Sequence, residues 1–272
     1  MSISTYVKRV GKWIFRGVPN RTVYVNVDSV NIGDTLKNKN IVITGGGSGI
    51  GYAIARKCHS EGASVVIIGR NENKLKEACR QIGTERIQYY CFDLTNCGKM
   101  QCMADEVVGL FDEKRIDGFV NNAGIYKHLS LKNTKVDDFD AIFNVNVKAV
   151  YFATQAILPY MAEQGQVLTI ASDTAYVHST NPYHMSKETV VHFTKALAKE
   201  LLERRVRANA IAPGPTVSEI NKADPEKGLQ WEDKLRVLKA EEVAEVAWFL
   251  LSDSSNCING QVICCDEGDC LR

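Results

Sequence analysis

From residue 40 onward, short apolar runs alternate with longer stretches whose apolar positions recur every three or four residues. The short runs, at residues 40–43, 64–68, 87–92, 118–120, 166–170, 206–211 and 261–265, predict strands. The longer stretches predict helices over residues 52–61, 73–81, 99–111, 183–203 and 241–251, and one long helix within 136–159. Several strands are apolar throughout, so both of their faces are expected to be buried. Such strands, separated by amphipathic helices, imply right-handed crossovers and a parallel sheet covered on both sides. The predicted fold class is therefore α/β, a doubly wound parallel sheet of the Rossmann type.

The alternation predicts a single domain over residues 36–272, with residues 1–35 as an N-terminal arm. In the arm, Val7, Val10 and Ile14 line one helical face, with Lys8, Arg9, Lys12 and Arg16 elsewhere, and residues 22–27 alternate like a strand. The arm is expected to pack on its own domain or on a neighbouring subunit. Membrane contact is the less favoured reading, because one short amphipathic stretch binds weakly alone. The arm lacks the uninterrupted apolar core and small-residue cleavage site of a secretion signal, so a cytoplasmic location is expected.

Composition narrows the picture further. The 272 residues are 45% hydrophobic and 24% charged, with ample material for a core. Lys and Arg number 33 against 32 Asp and Glu, so no global field recruits nucleic acid or membrane. No apolar run approaches the ~20 residues needed to span a bilayer. Nine cysteines are scattered without a Cys-x-x-Cys pair. They read as reduced thiols with no metal site, the lesser alternative being a bridge or metal near Cys264, Cys265 and Cys270.

The first candidate site is the segment Thr44, Gly45, Gly46, Gly47, Ser48, Gly49, Ile50, Gly51, between a predicted strand and a predicted helix. Glycines there let the backbone turn tightly and approach a pyrophosphate, and the helix N-terminus offers free N–H groups to phosphate. The second strand ends in Gly69, Arg70 and Asn71. An acidic residue at this point would bind adenosine ribose hydroxyls, whereas Arg70 offers a guanidinium to a 2′-phosphate. NADP(H) is thus favoured, with NAD(H) possible.

The second candidate site is the pair Tyr183 and Lys187, one helical turn apart. A lysine on the same face can lower the phenol's pKa, making Tyr183 a general acid in reduction and a general base in oxidation. Ser172, at the end of the preceding strand, can hydrogen-bond a substrate oxygen.

With these segments in this order, the chain resembles the short-chain dehydrogenase/reductase family over about residues 36–270, and most of all its 3-oxoacyl-carrier-protein reductase-like members. Residues 44–51 match the family's cofactor loop, and Asp93 with Leu94 its adenine-contacting pair. Asn121, Asn122, Ala123 and Gly124 match the segment that braces the sheet. Asn146, Ser172, Tyr183 and Lys187 match the catalytic residues. Pro213 and Gly214, followed by Thr216, match the turn beside the nicotinamide. The resemblance implies that Asn146 holds a water in a proton relay and that Lys187 also binds the nicotinamide ribose. It also implies a homodimer or homotetramer acting on a small-molecule carbonyl or alcohol.

The chain departs from the family in three places. The spacing from Ser172 to Tyr183 is short, the segment from Gly214 to Glu241 is short, and Asp266-Glu267-Gly268 stands where Asp-Gly-Gly is usual. The second departure implies a small or open pocket, or one completed by another subunit. The expected activity is that of an NADP(H)-dependent carbonyl reductase, on a 3-oxoacyl, sugar or small-ketone substrate. A non-catalytic dinucleotide-binding sensor or scaffold is the alternative, and its expected mark would be loss of Tyr183 or Lys187.

Overall fold

The structure, a computed structural model, describes residues 33–217 and 237–271. The helix and strand expected in the arm, and most of the segment between Gly214 and Glu241, lie outside the described residues. Seven strands form one sheet: β1 (Asn40–Thr44), β2 (Ser64–Gly69), β3 (Ile87–Cys91), β4 (Ile116–Asn121), β5 (Met161–Ile170), β6 (Arg207–Pro213) and β7 (Val262–Cys265). All neighbouring pairs are parallel, in the order β3-β2-β1-β4-β5-β6-β7. The connections run outward in opposite directions from β1 and β4, so the switch point lies between these two strands.

The helices are α1 (Gly49–Ser60), α2 (Glu72–Ile82), α3 (Met100–Val108), α4 (Val136–Phe143), α5 (Ala149–Ile157), α6 (Pro182–Glu200) and α7 (Ala240–Leu251). Side chains alternate along each strand and feed two separate cores. Ile41, Ile43, Ile67 and Leu168 pack under α1, α2 and α7, while Val42, Val66, Phe119 and Val167 pack under α3, α5 and α6. Both faces are thereby sealed, which is why the central strands read as continuous apolar runs.

The predicted long helix is not uniform. Between α4 and α5, residues Asn144–Lys148 form a π turn, and Leu158–Tyr160 close with a tighter 3-10 turn. The reason is a contact with a distant segment: the extra residue turns Asn146 inward, where its amide Oδ1 accepts from Ile125 N at 2.9 Å and its Nδ2 donates to Ile125 O at 3.0 Å. Taken end to end, Val136–Tyr160 is long and apolar enough by length and composition to cross a membrane. It is no uninterrupted apolar run, since Asp137, Asp138, Asp140 and Lys148 break it. The same helix buries Ala149, Ala153 and Ile157 against the sheet, as the core helix of an α/β domain does.

A buried polar knot fastens the start of the domain to its last helix. Lys57 Nζ lies 2.9 Å from Glu61 Oε1 and 3.1 Å from Glu245 Oε2, and 4.5 Å from the centre of the Trp248 ring. Thr35 Oγ1 donates to Glu61 Oε2 and accepts from Trp248 Nε1, each at 2.8 Å. Glu61 is 0% exposed and Lys57 5%, so the charges are matched inside the protein rather than by water.

Candidate active site

The glycine loop opens at the C-terminal end of β1, at the switch point. Gly45 and Gly49 adopt φ of 68° and 56°, the left-handed region that glycine enters without penalty. A Cβ on Gly45 would stand 2.9 Å from Ala123 Cα, and one on Gly51 would collide with the Asn122 amide and the Gly45 carbonyl. Thr44 and Asn122 hold the loop in place. Thr44 Oγ1 accepts from the Asn122 and Ala123 N–H groups at 3.0 and 3.1 Å, and Asn122 Nδ2 donates to the Thr44 and Gly45 carbonyls. Two residues predicted to bind cofactor thus brace the cradle. Ser48 precedes α1 in extended conformation and makes no side-chain cap bond, which leaves the first-turn N–H groups of α1 without a side-chain acceptor from Ser48 and suited to an anion.

Asn71 is committed elsewhere: its Oδ1 caps α2 by accepting from Lys74 N at 3.1 Å. Arg70 is exposed at the end of β2. Asp93 Oδ1 accepts from Thr95 N and Thr95 Oγ1, and these bonds, with the charge of Arg70 behind them, hold its carboxyl below the ordinary value. Leu94 beside it is buried. An open groove of about 430 Å³ runs beside the loop, lined by Gly47, Ser48, Asn73, Lys74, Glu77 and Gln81. Lys74 is a cation near the loop that the sequence reading missed; its position one turn into α2 was the available signal. These features fit the pyrophosphate and adenosine half of a dinucleotide: a cradle closed to any Cβ, a helix N-terminus, and cations at the far end.

The second group of residues gathers at the ends of β4 and β5 and the start of α6. Asn181 caps α6 by accepting from Tyr183 N at 2.9 Å, and Pro182 begins the helix, so Tyr183 sits in its first turn. Lys187, one turn on, is buried, and its Nζ donates to Ile170 O at 2.8 Å. The position of a Cβ on Gly124 would be 3.4 Å from Asn146 Oδ1 and 3.6 Å from Lys187 Nζ, so these two groups converge on one point. Asn146 Nδ2 also donates to Ser186 Oγ at 3.1 Å, and Ser186 donates to Tyr183 O at 2.6 Å, linking Asn146 to the first turn of α6. Ser172 caps the short turn Asp173–Tyr176 and lies close enough to Tyr183 to hydrogen-bond it. The short spacing between them therefore still brings the two hydroxyls together. Pro213 ends β6, Gly214 N donates to Cys265 O at 2.9 Å, and Thr216 Oγ1 donates back to Gly214 O.

The electrostatics differ from the expectation in one respect. Burial pushes the Tyr183 phenol up to about 12, with Ser172 opposing and Asp173 and Tyr126 adding to the rise. Lys187 is not among the causes. Burial pulls Lys187 itself down to about 8. Its ammonium lies 5.7 Å from the Tyr183 ring centre and is turned toward the Ile170 carbonyl. In this geometry desolvation outweighs the attraction that the four-residue spacing suggested.

Asp173 and Tyr126 were missed from sequence. Ser172 Oγ donates to Asp173 Oδ1 at 2.9 Å, and Asp173 is buried, which raises its pKa, with Asp266 and Asp269 adding to the rise. An acidic residue directly after the strand-end serine was the visible signal. Tyr126 packs edge-on to Tyr183 with ring centres 4.9 Å apart; no sequence spacing announces that contact.

A glycine cradle at a switch point, with Tyr, Lys, Ser and Asn converging beside it, defines a dinucleotide-dependent oxidoreductase. Residues 45–269 match the family described as enoyl-(acyl carrier protein) reductase. The chain is 35% identical over 244 residues to the 3-oxoacyl-[acyl-carrier-protein] reductase FabG of Thermotoga maritima, covering 86% of this chain and 98% of that protein. Among solved structures, it resembles a 3-ketoacyl-(acyl-carrier-protein) reductase from Brucella melitensis complexed with NADH. The TM-score is 0.77 at 28% identity, over 86% of this chain and 98% of that one. It also resembles a short-chain dehydrogenase from Burkholderia cenocepacia in complex with NADP, with TM-score 0.79 at 28% identity over 88% and 100% of the two chains. The chain belongs to the short-chain dehydrogenase/reductase family. It is an oxidoreductase that works between CH–OH and carbonyl groups with a nicotinamide dinucleotide.

Proposed function

We propose that the protein is an NADP(H)-dependent carbonyl reductase acting on a 3-oxoacyl thioester or a related small ketone. The observation that carries this reading is the convergence of Ser172, Tyr183, Lys187 and Asn146 next to the glycine cradle. The dinucleotide, when bound, supplies the hydride. Tyr183, kept protonated by burial, is the group placed to give the proton to the carbonyl oxygen. Ser172 orients that oxygen by donating a hydrogen bond to it, which steadies the negative charge that develops there. Asn146 and Lys187 face one another across Gly124; the Lys187 ammonium replaces the proton that Tyr183 gives up, and is itself recharged from solvent through a water that Asn146 holds.

Arg70 at the end of β2, with Lys74 in the adjacent groove, supports a preference for the 2′-phosphate. Residues 36–272 act as a single catalytic unit, with residues 1–35 as an N-terminal extension to it. A homodimer or homotetramer through α5 and α6 is part of this reading, and the half-exposed Tyr151 on α5 is a large ring left open on that surface. The proposed location is cytoplasmic.

The test is NADPH oxidation against 3-oxoacyl thioesters, keto-sugars, small ketones and quinones. Turnover lost in Tyr183→Phe, with NADPH still bound, supports the assignment; activity retained in that variant removes Tyr183 as proton donor. No turnover across the panel, with NADPH bound, would point to a non-catalytic binding role. Arg70→Asp should move preference from NADPH toward NADH, and an unchanged ratio takes Arg70 out of the site.

A further inference from the structure

The C-terminal turn gathers three metal-ligating side chains that the oxidoreductase chemistry does not use. Cys264 lies on β7, opposite Ala212 of β6. Asp266 follows the strand and is buried. Glu267 and Gly268 then take φ of 54° and 84°, two successive left-handed residues that fold the chain back on itself. The following turn, Asp269–Leu271, returns Cys270 over Asp266. As a result the Cys264 Sγ, an Asp266 carboxylate oxygen and the Cys270 Sγ all lie within 4.8 Å of one another. Cys265 is excluded because adjacent strand residues face opposite ways: it packs with the core beneath α7, and Cys264 with the core on the other side.

We propose that Cys264, Asp266 and Cys270 form a three-ligand Zn²⁺ site, with the fourth tetrahedral position left to water. The donor set argues for zinc over magnesium or calcium, since two thiolates with one carboxylate suit a borderline-soft ion and all-oxygen shells suit the hard ones. The span argues the same way. With bonds of about 2.3 Å to sulfur and about 2.1 Å to oxygen, ligand atoms around tetrahedral zinc sit roughly 3.5–3.8 Å apart. Small side-chain rotations close the present spacing to that value.

The carboxylate is already oriented. Asp266 Oδ1 accepts from Gly268 N at 3.0 Å and Oδ2 from Cys270 N at 2.8 Å; the carboxylate also accepts from the Cys270 thiol, a contact that a metal would replace by taking the thiolate in place of its proton. These amide bonds are the kind of outer support that holds a ligating carboxylate in place. The site also adjoins the catalytic serine. A Cβ on Gly214 would stand 3.1 Å from Asp266 Cβ and 3.5 Å from Asp173 Oδ2, so only Gly214 separates the cluster from the residue that Ser172 hydrogen-bonds. A metal here would pin the C-terminal turn beneath the Ser172 segment.

The experiment reads metal, not turnover. The full chain, purified with a reductant that does not bind zinc, is equilibrated with Zn²⁺, desalted and analysed by mass spectrometry of the metal. About one zinc per chain is expected. Cys264→Ser combined with Cys270→Ser should lower retention at least tenfold, and Cys265→Ser should leave it unchanged. Co²⁺ in place of zinc should give a thiolate charge-transfer band with the intense visible bands of a tetrahedral centre. In the unmutated protein, Zn²⁺ should slow alkylation of Cys264 and Cys270 and leave the exposed Cys257 unaffected, a readout independent of how the variants fold. Failure to retain zinc, equal retention in the double variant, or a Cys264–Cys270 bridge in the purified protein would overturn the proposal.

Discussion

Lys187 is the residue whose chemistry and stability are most directly opposed, and Lys187→Met separates the two. The ammonium is buried, and its pKa falls from 10.5 to about 8 because the charge has lost water. That gap, at about 1.4 kcal/mol per pH unit, makes keeping the proton cost about 3 kcal/mol at pH 7 and about 2 kcal/mol at pH 9. The sign follows from proton counts. Between pH 8 and 10.5 the unfolded chain holds a proton that the folded chain has released, so the contribution to stability rises with pH through that window. Below pH 8 the penalty is at its full value. Methionine has a similar length and no charge, so the variant carries none of this dependence.

The assay is urea unfolding of wild type and Lys187→Met at pH 7, 8 and 9 with the same reductant. The difference in unfolding free energy, variant minus wild type, should fall by about 1 kcal/mol from pH 7 to 9. Comparing the two proteins cancels the buried thiols: Cys58, pushed up to about 12 by burial, titrates alike in both. Tyr183 is protonated throughout this range. A difference that does not change with pH would refute the claim that desolvation governs Lys187. Reductase activity should be lost in the same variant, so stability and function respond separately to one side chain.

Three further outcomes are expected. Lys57→Ala removes the Lys57 ammonium from the buried Glu61 and from Glu245 and should destabilise the fold by about 3 kcal/mol, read as a fall in urea midpoint. Replacing both residues by methionine should recover most of that loss, and a harmless Lys57→Ala would show that the knot contributes little. Gly51→Ala places a methyl against the Asn122 amide and the Gly45 carbonyl, so NADPH binding measured by fluorescence titration should weaken at least tenfold; unchanged binding would mean that the loop is not the cradle. Asn146→Ala removes both hydrogen bonds to Ile125 and the one to Ser186, so kcat should fall with the KM for NADPH little changed; an unaltered kcat would take Asn146 out of the proton path.

Much of this molecule was legible one residue at a time. Strand after strand of apolar residues, broken by helical periodicity, required a sheet buried on both faces. The glycines of residues 44–51 announced a tight backbone approach, because glycine enters φ of 68° at Gly45 most readily and no Cβ fits the space left at Gly45 or Gly51. The four-residue spacing of Tyr183 and Lys187 placed both on one helical face. These properties depend on local sterics and on period, which neighbours in sequence determine.

What the tertiary structure decided depends on burial and on contacts between distant elements. The π turn that aims Asn146 inward arises from its bonds to Ile125 on another segment. Lys187 points to Ile170 O rather than to the phenol four residues before it, and its pKa is set by its burial. Asp173 became part of the site by its bond to Ser172 in a buried corner. Cys264 and Cys265 are adjacent in sequence, yet only Cys264 faces Asp266 and Cys270, because the pleat of β7 and a left-handed turn separate them. Sequence specifies which groups are present and the period on which they repeat. Desolvation and the meeting of remote segments determine the charge each group carries and the partner it finds.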